Sequence, residues 1–183
     1  MEGLVQCSAN YSPLTPVSIL ERASMVYGDR VSIIYGSLTY TWKETFERCF
    51  KLAASVLNQL KVAHGDIVAA LGPNTPELYE LHFAVPMAGA IVSPLNIYQE
   101  STTLAAELKL LEARTDPAAK TASPGYQLSG YRTFDSLLNP TNGYGYEIVR
   151  PKGECDPISI VITSGVPKGV VHSHRKGNKL HRC

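Results

Sequence analysis

Short apolar runs alternate with longer amphipathic segments in the middle of the chain, and this alternation constrains the fold more than any other feature. Residues 67–71 and 90–92 are uninterrupted apolar runs. Each is followed by a segment with apolar residues at helical spacing, the first opening at Thr75 and the second at Thr102. Strands that alternate with helices are typical of parallel sheets, in which crossover helices join neighbouring strands. The sequence therefore predicts an α/β fold with a partial parallel sheet and crossover helices.

The preceding part of the chain predicts two helices around a strand pair. Thr15 can cap a helix that begins at the following proline, and residues 31–35 and 38–40 are predicted as strands joined by a Gly-Ser turn. Thr41 and Glu44 have the spacing of a capping box, which predicts that a second helix begins there.

The alternation stops after Ala113. A parallel sheet should continue there with a third strand, but residues 115–153 are rich in Gly, Ser, Thr, Tyr and Asn and are predicted as an irregular linker. A clear strand returns only at residues 157–162. We therefore expect an incomplete sheet whose exposed edges favour aggregation or partner binding.

Charge and composition exclude several classes of protein. The 183 residues include 17 Lys and Arg and 16 Asp and Glu, for a formal net charge of +1, which does not favour a nucleic-acid binder. The longest apolar runs are far shorter than the roughly 20 residues of a membrane span. The four cysteines form no CxxC pair, so we expect reduced thiols in an intracellular protein.

Only one segment has residues that point to specific chemistry. The strand at residues 157–162 runs into a turn that contains Thr163, Ser164, Gly165, Lys168 and Gly169. Small residues let backbone amides approach an anion, hydroxyls donate hydrogen bonds and the lysine supplies positive charge, so the turn is a candidate phosphate cradle. The same residues also fit an ordinary hairpin between two β-rich runs, and the Walker A pattern is absent.

The turn also resembles the nucleotide-phosphate loop of the AMP-forming acyl-activating enzymes, the superfamily of acyl-CoA synthetases and their adenylating relatives. Several earlier segments are similar to the opening of that family in order and content, at residues 26–30, 40–42, 65–69, 73–77 and 79–90. The last of these is most similar to a plant branch, peroxisomal or cytosolic, that joins short-chain, medium-chain or aromatic acids to CoA.

The resemblance implies a two-step reaction on a small carboxylic acid. The carboxylate attacks the α-phosphate of ATP, releasing pyrophosphate and forming an acyl adenylate, and the thiol of CoA then displaces AMP. The resemblance further implies a need for Mg²⁺. It assigns the β- and γ-phosphates to Thr163, Ser164, Gly165 and Gly169, and the neutralisation of pyrophosphate to Lys168.

The chain departs from this family in two ways. Only Val166 separates Gly165 from Pro167, so the loop is about three residues short by resemblance and has fewer hydroxyls. The acid pocket, the adenine- and magnesium-binding segment and the small domain with the catalytic lysine cannot be assigned. We therefore interpret residues 1–183 as a truncated AMP-binding amino-terminal domain with an internal deletion, inactive alone, with its catalytic residues unknown. The alternative is a non-catalytic remnant that acts as an interaction module.

Two smaller expectations concern metal binding and location. His172 and His174 would lie on one face of a strand and could bind a metal together with His181 or Cys183. This spacing is common by chance, so no metal site is predicted. The family is cytoplasmic or peroxisomal, and the last three residues, 181–183, are not a peroxisomal signal.

Overall fold

The computed structural model describes residues 13–113, 137, 145–163 and 167–175. No helix in these ranges is long and apolar enough to cross a membrane. The described elements, in chain order, are α1 (Pro16–Val26), β1 (Val31–Tyr35), β2 (Leu38–Thr41), α2 (Trp42–Leu60), β3 (Ile67–Leu71), α3 (Pro76–Met87), β4 (Ile91–Leu95), α4 (Ser101–Leu111), β5 (Pro157–Ile162) and β6 (Gly169–Ser173).

Both predicted caps at the start of the chain are confirmed. Thr15 Oγ1 accepts a hydrogen bond from the Ser18 amide at 3.0 Å, and Ser18 Oγ accepts one from the Thr15 amide at 2.9 Å. Thr41 and Glu44 form the predicted capping box at the start of α2. Such caps satisfy amides that have no partner within the helix, and each stabilises its helix by about 1 kcal/mol.

The predicted strand pair and the predicted parallel layer are also present. β1 and β2 form a separate antiparallel pair, and the second sheet has the order β3-β4-β5-β6. β3 and β4 are parallel over their whole length, from the pair Ile67–Ile91 to the pair Leu71–Leu95. The α/β prediction is therefore confirmed.

The third parallel strand of the sheet is the strand predicted at residues 157–162. β5 lies beside β4 and runs parallel to it, paired at Val92 and Ser159, so β5 is that strand. The expectation that no strand follows directly after Ala113 concerns residues 114–136, which lie outside the described residues. β6 then returns antiparallel to β5 and ends the sheet.

β4 extends to Leu95, beyond the predicted end at residue 92, and includes Pro94. A proline cannot donate to a sheet ladder, which is why the sequence indicated an earlier end. Pro94 is tolerated because it lies where β4 pairs with β3 alone, past its pairing with β5 at Val92.

Two apolar clusters cover the two faces of the sheet. The larger joins α1, α2 and α3 to one face, where Val68, Ala70 and Val92 are buried. The smaller places α4 against the other face, where Ile91 and Ile160 are buried. Successive side chains along one strand point to opposite faces and belong to different clusters. These strands are therefore apolar on both faces, as is typical of a parallel sheet with helices on each side.

The end of the predicted linker packs closely on α3, although residues 145–153 contain no helix or strand. The Tyr146 hydroxyl donates to the Met87 carbonyl at 2.5 Å, and the Val149 amide donates to the same carbonyl at 2.8 Å. Burial raises the pKa of the Tyr146 phenol, which suits a hydroxyl that donates. Residues 114–136 and 138–144 of the linker lie outside the described residues.

The expectation of reduced thiols throughout is wrong for Cys155. Cys155 is disulfide-bonded, whereas Cys49 is a free thiol buried in the larger apolar cluster. Burial raises the pKa of the Cys49 thiol, so it remains protonated and unreactive.

Candidate functional site

The candidate phosphate-binding turn joins β5 to β6. The two strands remain paired to the end of β5, where Ile162 faces Gly169. Beyond that pair, the Thr163 amide donates to the Lys168 carbonyl at 3.0 Å. The hairpin interpretation is therefore confirmed for the described residues on either side of the turn.

The hairpin places three of the five candidate residues together at one end of the sheet. Thr163, Lys168 and Gly169 are all exposed. Ser164 and Gly165, the other two candidates, lie outside the described residues. The phosphate-binding assignment of all five residues stays a prediction.

Some hydrogen-bond donors at this end of the hairpin are available to bind an anion, and others are already used within the hairpin. The Thr163 amide is used in the hairpin, but its side chain is exposed. Lys168 is exposed and forms no ion pair with any other described residue. Hydrogen-bonded and non-hydrogen-bonded pairs alternate along an antiparallel ladder. Thr163 is hydrogen-bonded to Lys168, so the next pair, Ile162 and Gly169, is a non-hydrogen-bonded one. The Gly169 amide is therefore predicted to point away from β5, towards the outer edge of β6.

Gly169 also lies close to the core. A Cβ at Gly169 would approach Ile160 Cγ2 to 3.2 Å, which is tighter than ordinary packing. Gly169 pairs with Ile162, so Ile160 is its diagonal neighbour across the hairpin, and the absence of a side chain at Gly169 leaves room for the Ile160 side chain. These features fit a phosphate group held by a hydroxyl, an amide and an ammonium.

The metal-binding interpretation of His172 and His174 also involves His181 or Cys183, which lie outside the described residues. His174 is buried and follows the end of the strand, whereas His172 is only half-buried within it. Among the described residues, no group of three His, Cys, Asp or Glu side chains could hold a metal ion. The described residues therefore do not fit the implied Mg²⁺.

One polar cluster was missed by the sequence analysis. His64, Asp156 and His174 line one cavity of about 60 Å³ near the starts of β4 and β5. Burial lowers the pKa of the His174 imidazole, and the charge of Asp156 opposes this effect only in part. These residues come from three connections, so no spacing in the sequence signals the cluster.

The sequence profile of the AMP-binding enzyme family matches residues 20–180, which include every described helix and strand except the first residues of α1. The chain belongs to this family. The match covers both the parallel layer and the hairpin that carries the candidate turn. The resemblance inferred from the sequence is thereby confirmed.

Curated relatives of this AMP-binding chain are plant acyl-activating enzymes. Two from Arabidopsis thaliana are probable acyl-activating enzyme 21, with 40% identity, and peroxisomal benzoate–CoA ligase, with 36%. Each alignment includes 96% of this chain but only 37% and 36% of the relative, respectively. The chain therefore spans little more than a third of the length of these relatives.

The same alignments show residues in the relatives that this AMP-binding chain lacks. They extend over 203 and 210 positions, more than the 183 residues of the whole chain. The relatives therefore carry additional residues within the matched region, which supports the predicted internal deletion.

Solved structures similar to this AMP-binding chain include adenylating enzymes. The amino-terminal subdomain of Klebsiella oxytoca NpsA matches with a TM-score of 0.68 and 29% identity, over 87% of this chain and 40% of that one. The same subdomain in complex with anthranilyl-AMSN has a TM-score of 0.71 and 27% identity, over 89% and 42%. The fold is that of the amino-terminal subdomain of an adenylating enzyme.

Proposed function

We propose that the chain is the amino-terminal, phosphate-binding part of an ATP-dependent carboxylic acid–CoA ligase. The observation that carries this proposal is the β5–β6 hairpin, which presents Thr163, Lys168 and Gly169 at one exposed end of the sheet. The family match and the 40% and 36% identities to acyl-activating enzymes support it. The substrate class is a small carboxylic acid of the fatty or aromatic type.

Each residue of the hairpin has a distinct part in this proposal. The Thr163 hydroxyl and the Gly169 amide donate hydrogen bonds to phosphate oxygens, and Ser164 and Gly165 extend the same cradle. The Lys168 ammonium compensates negative charge on the pyrophosphate as the carboxylate displaces it from the α-phosphate of ATP. Because Thr163 uses its amide within the hairpin, its hydroxyl is its only remaining donor.

This chain alone binds a nucleotide weakly and does not complete the reaction. It spans 37% and 36% of the length of the two plant relatives described above, its described residues contain no group of three side chains that could hold a metal ion, and Lys168 lines neither of the two described cavities. A second candidate function is therefore a non-catalytic interaction module. The exposed valines of β5 and β6, Val161, Val170 and Val171, favour this alternative.

Lys168→Ala tests the phosphate assignment. We expect ATP and pyrophosphate to bind at least about tenfold more weakly to this variant in calorimetric titrations, because hydrogen bonds to charged groups contribute about 1.5–3 kcal/mol. Lys51→Ala is the matched control, since Lys51 is an exposed lysine on α2, outside the hairpin. Equal affinities of K168A and K51A would contradict the assignment.

Restoring loop length gives a complementary measurement. Inserting Thr, Thr and Gly between Val166 and Pro167 adds donors and reach, so we expect tighter binding of pyrophosphate. Exchange of labelled pyrophosphate into ATP with acetate, butyrate or benzoate should remain undetectable for the parent chain. Turnover by the purified 183-residue chain would instead overturn its proposed inactivity.

A further inference from the structure

The cavity lined by His64, Asp156 and His174 lies beneath the end of β6. Its volume of about 60 Å³ exceeds the space that one internal water molecule requires. The remaining lining is apolar or backbone, from Gly89 and Val149 among others. The cavity is therefore small, and its few polar side chains come from three separate connections of the fold.

His174 is the polar group at this cavity that lacks a partner. His174 is buried, with only 8% of its surface exposed to solvent. Its Nδ1 atom is buried and has no hydrogen-bond partner among the described residues. A buried polar atom without a partner costs about 1–3 kcal/mol, so native proteins usually supply a partner or a water molecule.

The backbone around His174 anchors the base of the β5–β6 hairpin. The His174 amide donates to the Asp156 carbonyl at 3.0 Å, and the Arg175 amide donates to the Glu154 carbonyl at 2.9 Å. The Arg175 guanidinium also pairs with the Glu154 carboxylate at 2.7 Å. The end of β6 is thus fastened to the turn that precedes β5, at the end of the hairpin opposite Lys168.

The cavity is partly open, because His64 and Gly65 in its lining are exposed. We propose that it is a hydration site, in which a bound water donates a hydrogen bond to neutral His174 Nδ1 and connects it to His64 or Asp156. Protonation of His174 removes the acceptor and places a positive charge in the cavity. The titratable and charged groups around His174 are His64 and Asp156, which line the same cavity, and Glu154 and Arg175, which pair with each other beside it. Glu154 is already paired with Arg175, so Asp156 is the principal counter-charge.

Acid should therefore loosen the base of the hairpin. The pKa of His174 is lowered in the folded protein, so the unfolded chain binds the proton more readily and stability is lost as pH falls below about 6.5. One such group changes the folding equilibrium by at most tenfold per pH unit. Neutral pH retains the full contribution.

Two measurements on the full chain test this proposal. In the parent protein, the nuclear Overhauser effect between water and the Val149 methyl groups should have the sign that indicates a long-lived bound water. His174→Leu removes the acceptor and should abolish this signal, whereas His172→Leu, a control on the same strand, should retain it. A dry cavity in the parent protein, or an unchanged signal in H174L, would overturn the hydration site.

The proton linkage has its own readout. The parent protein and H172L should lose stability between pH 7.5 and 5.5 more steeply than H174L in urea unfolding. Should H174L fail to fold, the ring protons of His174 in the parent protein still report its titration directly. A midpoint at or above 6.5 would refute the linkage, and the measurement does not depend on nucleotide binding.

Discussion

Two glycines with the same unusual backbone conformation differ in what surrounds them. Gly65 has φ +85° and Gly89 has φ +78°, both in the left-handed region that disfavours residues with a Cβ. A Cβ at Gly65 would meet nothing within 4 Å, whereas a Cβ at Gly89 would lie 2.6 Å from Val149 Cγ1. Comparing substitutions at these two glycines therefore separates the cost of backbone strain from the cost of a steric clash.

Gly89→Ala should destabilise the protein more than Gly65→Ala. The backbone term alone costs about 1–2 kcal/mol in each variant. Overpacking against Val149 should add about 1–3 kcal/mol in G89A, because Val149 is held by the hydrogen bond from its amide to Met87. Urea unfolding of both variants measures the difference. Equal losses would show that the 145–150 segment moves freely away from α3.

At the scale of elements, α2 and α3 are joined by a partly buried ion pair between Arg48 and Glu80. Arg48 Nε and Nη2 donate to the two Glu80 carboxylate oxygens at 2.5 and 3.0 Å, and the Glu80 side chain is 0% exposed. The Arg48 guanidinium also lies 4.6 Å from the centre of the Tyr40 ring. Burial raises the pKa of Glu80, and its hydrogen bonds with Arg48 offset part of that effect.

Arg48→Met should leave Glu80 buried without a partner and cost about 3–5 kcal/mol at neutral pH. The pKa of Glu80 then rises further above its value in the unfolded chain, so the unfolded chain releases the proton first and stability falls as pH increases from about 4.5. Adding Glu80→Gln should remove this pH dependence. Urea unfolding across pH measures both effects.

Arg150→Met is the matched control for this pair. Arg150 and Glu21 also form a two-bond pair, but their side chains are 56% and 22% exposed, so we expect a cost below about 1 kcal/mol. If R48M destabilised the protein no more than R150M does, Glu80 would have to reach water once Arg48 is removed.

Elements with local signals were predictable from the sequence, and those that depend on distant partners were not. The Thr41 cap and the apolar run of β3 lie within a few residues of the elements that they define. By contrast, the pairing of β5 with β4 spans the long segment after α4, and the cavity at His174 is shared with His64 and Asp156 from other connections. At the candidate site, the residue types and the hairpin were predictable, but the use of the Thr163 amide within the hairpin was not.

At the scale of the whole molecule, the sheet ends in a strand whose apolar side chains are exposed on both faces. Val170 and Val171 point to opposite faces of β6 and are 43% and 57% exposed, and Val161 on β5 is 41% exposed beside Val170. No strand among the described residues pairs with the outer edge of β6. An apolar strand with an open edge readily adds another strand, from a second copy or from a different protein.

Val171→Lys should therefore reduce self-association of the purified chain. A lysine on an edge strand places a charge where a second strand would pack, and natural sheets use it for this purpose. Sedimentation velocity over a range of concentrations should show several-fold less oligomer than in the parent protein. Met25→Lys is the control, because Met25 is 76% exposed on α1 and belongs to neither strand of the hairpin. If M25K suppresses oligomers equally, association depends on exposed apolar area in general, and the edge of β6 has no special part in it.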